Sequence, residues 1–220
     1  MTTEEICLQY ISQGKTPQEH LHNIEEVCKA GCKWVQLRLK DEDVVTYLDT
    51  AIKCRDICDQ YEAVMIINDN VSIAKAVLAD GIHLGLNDMN PQEARKILGD
   101  NFIIGGTANT LEDCIQQVDN GVDYLGLGPF RYTTTKKKLS PVLGLEGYKN
   151  ILTGMKSQNI EIPVLAIGGI VENDIKDIFY TGVDGIAVSG MLTNQQDLKK
   201  TIQNIKVTIK GGVKNSEYNG

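Results

Sequence analysis

Short apolar runs alternate along the chain with longer stretches of helical periodicity, and the alternation persists from about residue 6 to about residue 209. Four of the apolar runs share one lead-in, a small residue or Gly followed by Asp or Lys. They are Ala30-Gly31-Cys32-Lys33-Trp34-Val35-Gln36-Leu37, Ala79-Asp80-Gly81-Ile82-His83-Leu84-Gly85, Asn120-Gly121-Val122-Asp123-Tyr124-Leu125-Gly126-Leu127 and Thr181-Gly182-Val183-Asp184-Gly185-Ile186-Ala187-Val188. Each follows a helical stretch, so each reads as a helix C-terminus or turn feeding a buried strand. Weaker runs at 6–11, 64–67, 102–104 and 163–167 complete a set of eight strands.

Helices are predicted over 17–31, 42–60, 71–79, 91–98, 111–120, 145–158, 172–181 and 194–209. Several starts are signalled by composition. Thr16-Pro17-Gln18-Glu19 combines a capping box with Pro at the first helical position, and Asn90-Pro91 repeats the proline device. Thr110-Leu111-Glu112-Asp113 places acid in the first turn. Eight strands alternating with eight helices imply an α/β chain closed as a single (β/α)8 barrel, with an open doubly wound sheet as the alternative. No boundary divides residues 1–210, which read as one domain; the longest stretch without periodicity, 126–143, is a loop within a repeat unit. The polar tail 211–220 reads as frayed.

Composition narrows the partners. The 22 basic residues against 29 acidic ones leave a formal charge of −7, which argues against a sequence-blind nucleic-acid surface. The longest nearly apolar stretch, 163–171, falls well short of the roughly 20 residues of a spanning helix. The acidic N-terminal residues have no apolar signal core, so a cytoplasmic location is expected, and a homo-oligomer is left open. Cys28/Cys32 and Cys54/Cys58 each lie on one helix face, yet no CxxC occurs and His20, His22 and His83 form no zinc-type spacing. Buried reduced thiols are the expected reading.

In such a barrel the chemistry gathers at the C-terminal ends of the strands. Gln36, Arg38 and Lys40 are spaced by two, so strand alternation turns them to the barrel mouth and Val35, Leu37 and Leu39 to the helices. The bland alternative is that Arg38 and Lys40 only reach water. The third strand ends in Asn68-Asp69, and Asn87-Asp88 follow the fourth. Asn68 and Asp69 could serve as a helix N-cap; alternatively Asp69 and Asp88, on adjacent strands, hold one Mg2+ together with phosphate oxygens and water. The loop after the sixth strand carries Gly126 to Pro129, then Arg131, Thr133, Thr134, Thr135 and Lys136, a mixture of hydroxyls, amides and positive charge suited to phosphate or pyrophosphate. Lys137 and Lys138 read as solvated charge. Gly168-Gly169 and Ser189-Gly190 add flexible backbone after the last two strands.

Taken in register, five of these stretches resemble the thiamine-phosphate synthase family. They are Gln36-Leu37-Arg38-Leu39-Lys40, Ile67-Asn68-Asp69, the run Ala79 to Asp88, Gly126-Leu127-Gly128-Pro129 with Thr133-Thr134-Thr135-Lys136, and Ala166-Ile167-Gly168-Gly169-Ile170, spread over roughly residues 8–209. The resemblance implies a transferase that joins a pyrimidine-methyl diphosphate to a thiazole phosphate, carboxylated or not, and releases pyrophosphate. By resemblance, Gln36, Arg38, Lys40, Asn68, Thr107 and Lys136 would contact the pyrimidine diphosphate, and Arg38, Lys40 and Lys136 would carry the charge compensation. Thr133, Thr134, Thr135, Gly169, Ser189 and Gly190 would hold the thiazole phosphate, and Asp69 and Asp88 would ligate Mg2+.

Leu39, Leu86, Asn109 and Tyr132 depart from the family pattern, and Thr107 stands where Ser is usual. Two rivals remain at this level: a thiazole tautomerase of the same superfamily, and a non-catalytic barrel that binds a phosphorylated ligand. Neither needs Arg38, Lys40, Asp69, Asp88 and Lys136 together.

Overall fold

Eight parallel strands close on themselves in strict chain order. The computed structural model describes residues 7–132 and 141–216, with side chains described as far as Ile209. The strands are β1 (Leu8–Ile11), β2 (Trp34–Leu37), β3 (Val64–Asn68), β4 (Gly81–Leu84), β5 (Ile103–Ala108), β6 (Tyr124–Leu127), β7 (Val164–Ile167) and β8 (Gly185–Val188). The pairing of β1 with both β2 and β8 completes the barrel, so the open doubly wound sheet is excluded.

The helices are α1 (Pro17–Lys29), α2 (Val44–Gln60), α3 (Val71–Ala76), α4 (Pro91–Leu98), α5 (Leu111–Asp119), α6 (Gly144–Ser157), α7 (Ile175–Phe179), α8 (Gly190–Thr193) and α9 (Leu198–Ser216). Three differ from the sequence expectation. The helix expected at 172–181 opens with a 3-10 turn, Glu172–Asp174, before α7. A separate short α8 follows β8 directly. The last helix begins at Leu198 and runs to Ser216, so residues 211–216 of the expected tail are helical backbone.

The recurring Asp of the sequence repeat has a structural reason. Asp80 accepts the Met65 N–H at 2.7 Å, Asp123 the Ile104 N–H at 2.7 Å, and Asp184 the Val164 N–H at 2.8 Å. Each carboxylate therefore ties the start of one strand to the entry of the next, at the N-terminal end of the barrel, where barrels keep stability rather than chemistry. Arg55 and Arg95 neutralise two of them, at 2.7 Å from Asp80 and 2.6 Å from Asp123.

Strand alternation sorts the core into two shells. Val35, Leu37, Leu39, Ile67, Ile82 and Leu125 face the helices in the larger apolar cluster. Ile11, Trp34, Ile66, Tyr124, Leu165 and Ala187 fill the interior of the barrel as a smaller one. This plug closes the barrel from within and forms the floor beneath its mouth. All six cysteines are buried free thiols, as expected of small apolar residues. Contact with Cys58 and then burial push the Cys28 thiol well up; at Cys58 the contact with Cys28 works the other way, and contact with Cys54 together with burial outweighs it and raises that thiol too.

Candidate active site

At the C-terminal end of β3 the chain must turn sharply, and the residues that might have capped α3 are released for the mouth. Asn70 is the cap: its side chain accepts the Ile73 N–H at 3.0 Å. Asp69 is held with φ of +65°, a conformation that non-glycine residues seldom adopt, and its N–H donates to the His83 carbonyl at 2.9 Å. Asn68 donates to the Asp69 carboxylate at 2.6 Å and lies 3.4 Å from the same carbonyl.

Lys40 is paired with Asp69 through a hydrogen-bonded salt bridge. Asp88, which accepts the Gly85 N–H at 2.7 Å, stands near enough to Asp69 to act on its carboxyl electrostatically. Burial raises the Asp69 pKa above the ordinary carboxylate value; Lys40 opposes the shift and Asp88 adds to it. Two carboxylates that repel each other, both offering hard oxygen donors at the barrel mouth, suit a divalent cation. No group of three or more His, Cys, Asp or Glu among the described residues could hold a metal by itself. A cation here would thus draw its other donors from substrate and water.

Arg38 is half-buried at the end of β2, with its N–H donating to Ser12 Oγ at 2.9 Å. Burial lowers its pKa, while Asp69, Tyr47 and Asp41 pull the other way. Its side chain lines a cavity of about 290 Å³ that opens at the mouth between β1, β7 and β8. Ile11, Ile167 and Ala187 give the cavity an apolar floor, and Gly168, Gly169, Ser189 and Gly190 contribute backbone to its wall. Gly168 and Gly169 have φ of +97° and +69°, and a Cβ at 168 would lie 2.8 Å from Pro129 Cβ. Glycine is therefore needed there for both conformation and room. Ser189 Oγ lies 3.1 Å from Gln13 Oε1, to which it donates.

Beneath this mouth runs a connected set of buried polar side chains. Gln36 Nε2 donates to Gln9 Oε1 at 3.0 Å, and Gln9 Nε2 donates to the Tyr124 hydroxyl at 3.3 Å. Tyr124 lies 3.1 Å from His83 Nδ1, and His83 Nε2 lies 3.0 Å from Thr107 Oγ1. Glycines make the space: a Cβ at Gly126 would approach His83 Cε1 to 3.0 Å.

The structure thus gathers Gln36, Arg38, Lys40, Asn68, Asp69, Asp88, Thr107, Gly169, Ser189 and Gly190 at one end of the barrel. Thr133, Thr134, Thr135 and Lys136 lie outside the described residues. Sequence reasoning missed Gln9, His83 and Tyr124 as members of the site. A polar residue inside an otherwise apolar four-residue strand, at the inward parity, was the available signal. It also missed Ser12 and Gln13, directly after β1. Arg131, in the loop that the sequence already pointed to, donates from Nη1 to the Gly169 carbonyl at 2.7 Å.

Comparison with known proteins gives a consistent result. The sequence model of the family described as thiamine monophosphate synthase matches residues 8–192. The thiamine-phosphate synthase of Flavobacterium psychrophilum is 53% identical over 190 residues, covering 86% of this chain and 92% of that protein. The Flavobacterium johnsoniae thiamine-phosphate synthase is 49% identical over 206 residues, covering 94% and 97%. Among solved structures, the thiamine phosphate pyrophosphorylase of Pyrococcus furiosus superposes with a TM-score of 0.81 at 28% identity, covering 96% of this chain and 98% of that one.

Proposed function

The chain belongs to the thiamine monophosphate synthase family and is a transferase, and from that premise we propose that it condenses an aminopyrimidine-methyl diphosphate with a thiazole phosphate to give thiamine phosphate and pyrophosphate. The observation that carries this reading is the place of Arg38. It lines the apolar-floored cavity on one side and lies in the field of Asp69 on the other. One guanidinium thus borders both a compartment for a flat phosphorylated ring and a polar compartment for a diphosphate.

The reaction asks little acid–base chemistry of the protein. The bond from the pyrimidine methylene to the diphosphate oxygen breaks, its electron pair leaving with pyrophosphate. The electron-rich aminopyrimidine stabilises the positive carbon that results, and the thiazole nitrogen attacks it with its own lone pair. Arg38 and Lys40, together with Lys136 beyond the described residues, would compensate the charge growing on the leaving group from fixed positions. Asp69 and Asp88 would hold Mg2+, which when bound supplies further positive charge toward the diphosphate oxygens. Gly169, Ser189 and Gly190 would offer backbone amides to the thiazole phosphate, and the apolar floor would keep water from the reacting carbon. A barrel that only rearranged a thiazole phosphate would have no use for the charged set around Asp69.

No described helix is long and apolar enough to cross a membrane. Incubation of the protein with both substrates and Mg2+ is expected to yield thiamine phosphate and pyrophosphate in equal amounts. A folded sample that forms neither product overturns the proposal.

A further inference from the structure

The buried amide of Gln9 belongs to none of the roles above, yet it joins two chains of hydrogen bonds that reach the mouth on different sides. Gln9 is 1% exposed, Gln36 and Tyr124 are 2% exposed, and His83 and Thr107 rise to 6% and 8%. Exposure therefore increases outward from Gln9, at least along the branch to Thr107.

The amide has a direction. Its oxygen accepts from Gln36 Nε2 at 3.0 Å, which turns the Gln36 carbonyl oxygen away from this bond. Its nitrogen donates to the Tyr124 hydroxyl at 3.3 Å, so the hydroxyl proton is available to His83 Nδ1, 3.1 Å away. The tautomer consistent with that direction carries the His83 proton on Nε2, which would donate to Thr107 Oγ1 at 3.0 Å and free the Thr107 hydroxyl to donate onward.

We propose that Gln9 is a positioning residue that sets the hydrogen-bond polarity of the pyrimidine compartment, with Gln36 presenting an acceptor and Thr107 a donor. This inference rests on the function proposed above. An aminopyrimidine edge carries the complementary pair, an exocyclic amino donor and a ring-nitrogen acceptor. The corresponding oxo-pyrimidine reverses both, so it would leave buried polar groups facing like partners. The Gln9 side chain itself touches no substrate. It acts through Gln36 on one branch and through Tyr124 and His83 on the other, and a low-dielectric interior makes such a relay directional.

The test measures KM for the aminopyrimidine diphosphate, KM for the thiazole phosphate, and the inhibition constant of the 4-oxo-pyrimidine diphosphate, in wild type, Gln9→Met and Tyr124→Phe. Gln9→Met removes both branches with similar volume, and Tyr124→Phe cuts only the branch to Thr107. The expected result is a rise of roughly tenfold in the aminopyrimidine KM for Gln9→Met, a similar loss of preference over the oxo compound, and a smaller loss for Tyr124→Phe. The thiazole KM stays within about twofold, since that compartment makes no contact with Gln9. Gln9→Glu retains the acceptor for Gln36, so it should recover part of the lost preference and serves if Gln9→Met does not fold. Wild-type turnover with unchanged preference in the folded Gln9 variants overturns this inference alone. Equal losses in both KM values overturn it also, as a merely structural effect. Absence of wild-type turnover overturns the functional reading and this inference with it.

Discussion

Tyr124 occupies the space that any side chain at Gly105 would need: a Cβ at 105 would lie 2.2 Å from Tyr124 Cζ and 2.5 Å from its hydroxyl oxygen. The two residues stand on adjacent strands at paired positions, and both face the barrel interior. The ring also meets Trp34 edge-on, with centroids 5.0 Å apart. It has nowhere to retreat.

Gly105→Ala is therefore expected to destabilise the fold by about 1–3 kcal/mol, the usual cost of overpacking a close-packed core. It should also lower turnover by displacing the Tyr124 hydroxyl from Gln9 and His83. Urea unfolding alongside steady-state kinetics checks both effects, and a variant as stable and as active as wild type contradicts the packing argument.

The Asp69–Asp88 pair is expected to make the reaction depend on a divalent cation. Chelation should abolish turnover and Mg2+ should restore it. Asp69→Ala, and Lys136→Ala by family resemblance, should each cost about 10²-fold or more in turnover, as expected for one lost transition-state charge contact. A loss below about fivefold would remove these residues from the charge clamp.

Arg131 makes a two-pronged pair with Asp174, both contacts at 2.9 Å, and also holds the Gly169 carbonyl. Burial works against the charge of Asp174, but Arg131 and the Val171 N–H outweigh it and keep its pKa below the usual range. Because Arg131 is half exposed, Asp174→Asn should change stability by less than about 1 kcal/mol. The loop carrying Gly169 would nonetheless be less well placed, so the thiazole phosphate KM should rise by roughly three- to tenfold with little change for the pyrimidine. An unchanged thiazole KM would make the clamp a loop tie with no part in binding.

His20 supplies a pH dependence of stability. It is buried, with Nδ1 2.8 Å from Ser12 Oγ, the same oxygen that accepts the Arg38 N–H. Burial lowers its pKa from 6.5; the Gly14 carbonyl opposes that shift and the Arg38 charge adds to it. The folded state thus favours neutral His20. Its contribution is complete above 6.5, the unfolded value, and is lost as pH falls through the lower folded pKa. Unfolding free energies measured across that window should decline for wild type and decline less for His20→Gln. Equal slopes would show that His20 is not the titrating group.

Much of the architecture was legible because strands and helices declare themselves locally. Apolar runs at strand length, caps such as Thr110 with Asp113, and the repeated lead-in to β2, β4, β6 and β8 specified eight βα units in order. Alternation was enough to send Gln36, Arg38 and Lys40 to the mouth and Leu39 to the helices. It could not tell whether Asn68 and Asp69 served a helix cap, a question settled by Asn70 taking that place.

What the amino-acid sequence determined by itself was the eight strands, the alternation of helices between them, and the end of the barrel at which polar side chains would collect. What only the tertiary structure decided was which of those side chains meet. Gln9 and Tyr124 lie 115 residues apart in the chain and reach each other across the closed barrel; Asp69 and Asp88 meet only because β3 pairs with β4 in one register. Such contacts depend on closure and stagger, which belong to the whole sheet. Local hydrophobic periodicity reports the face on which a residue lies, and carries no information about its partner across the interior.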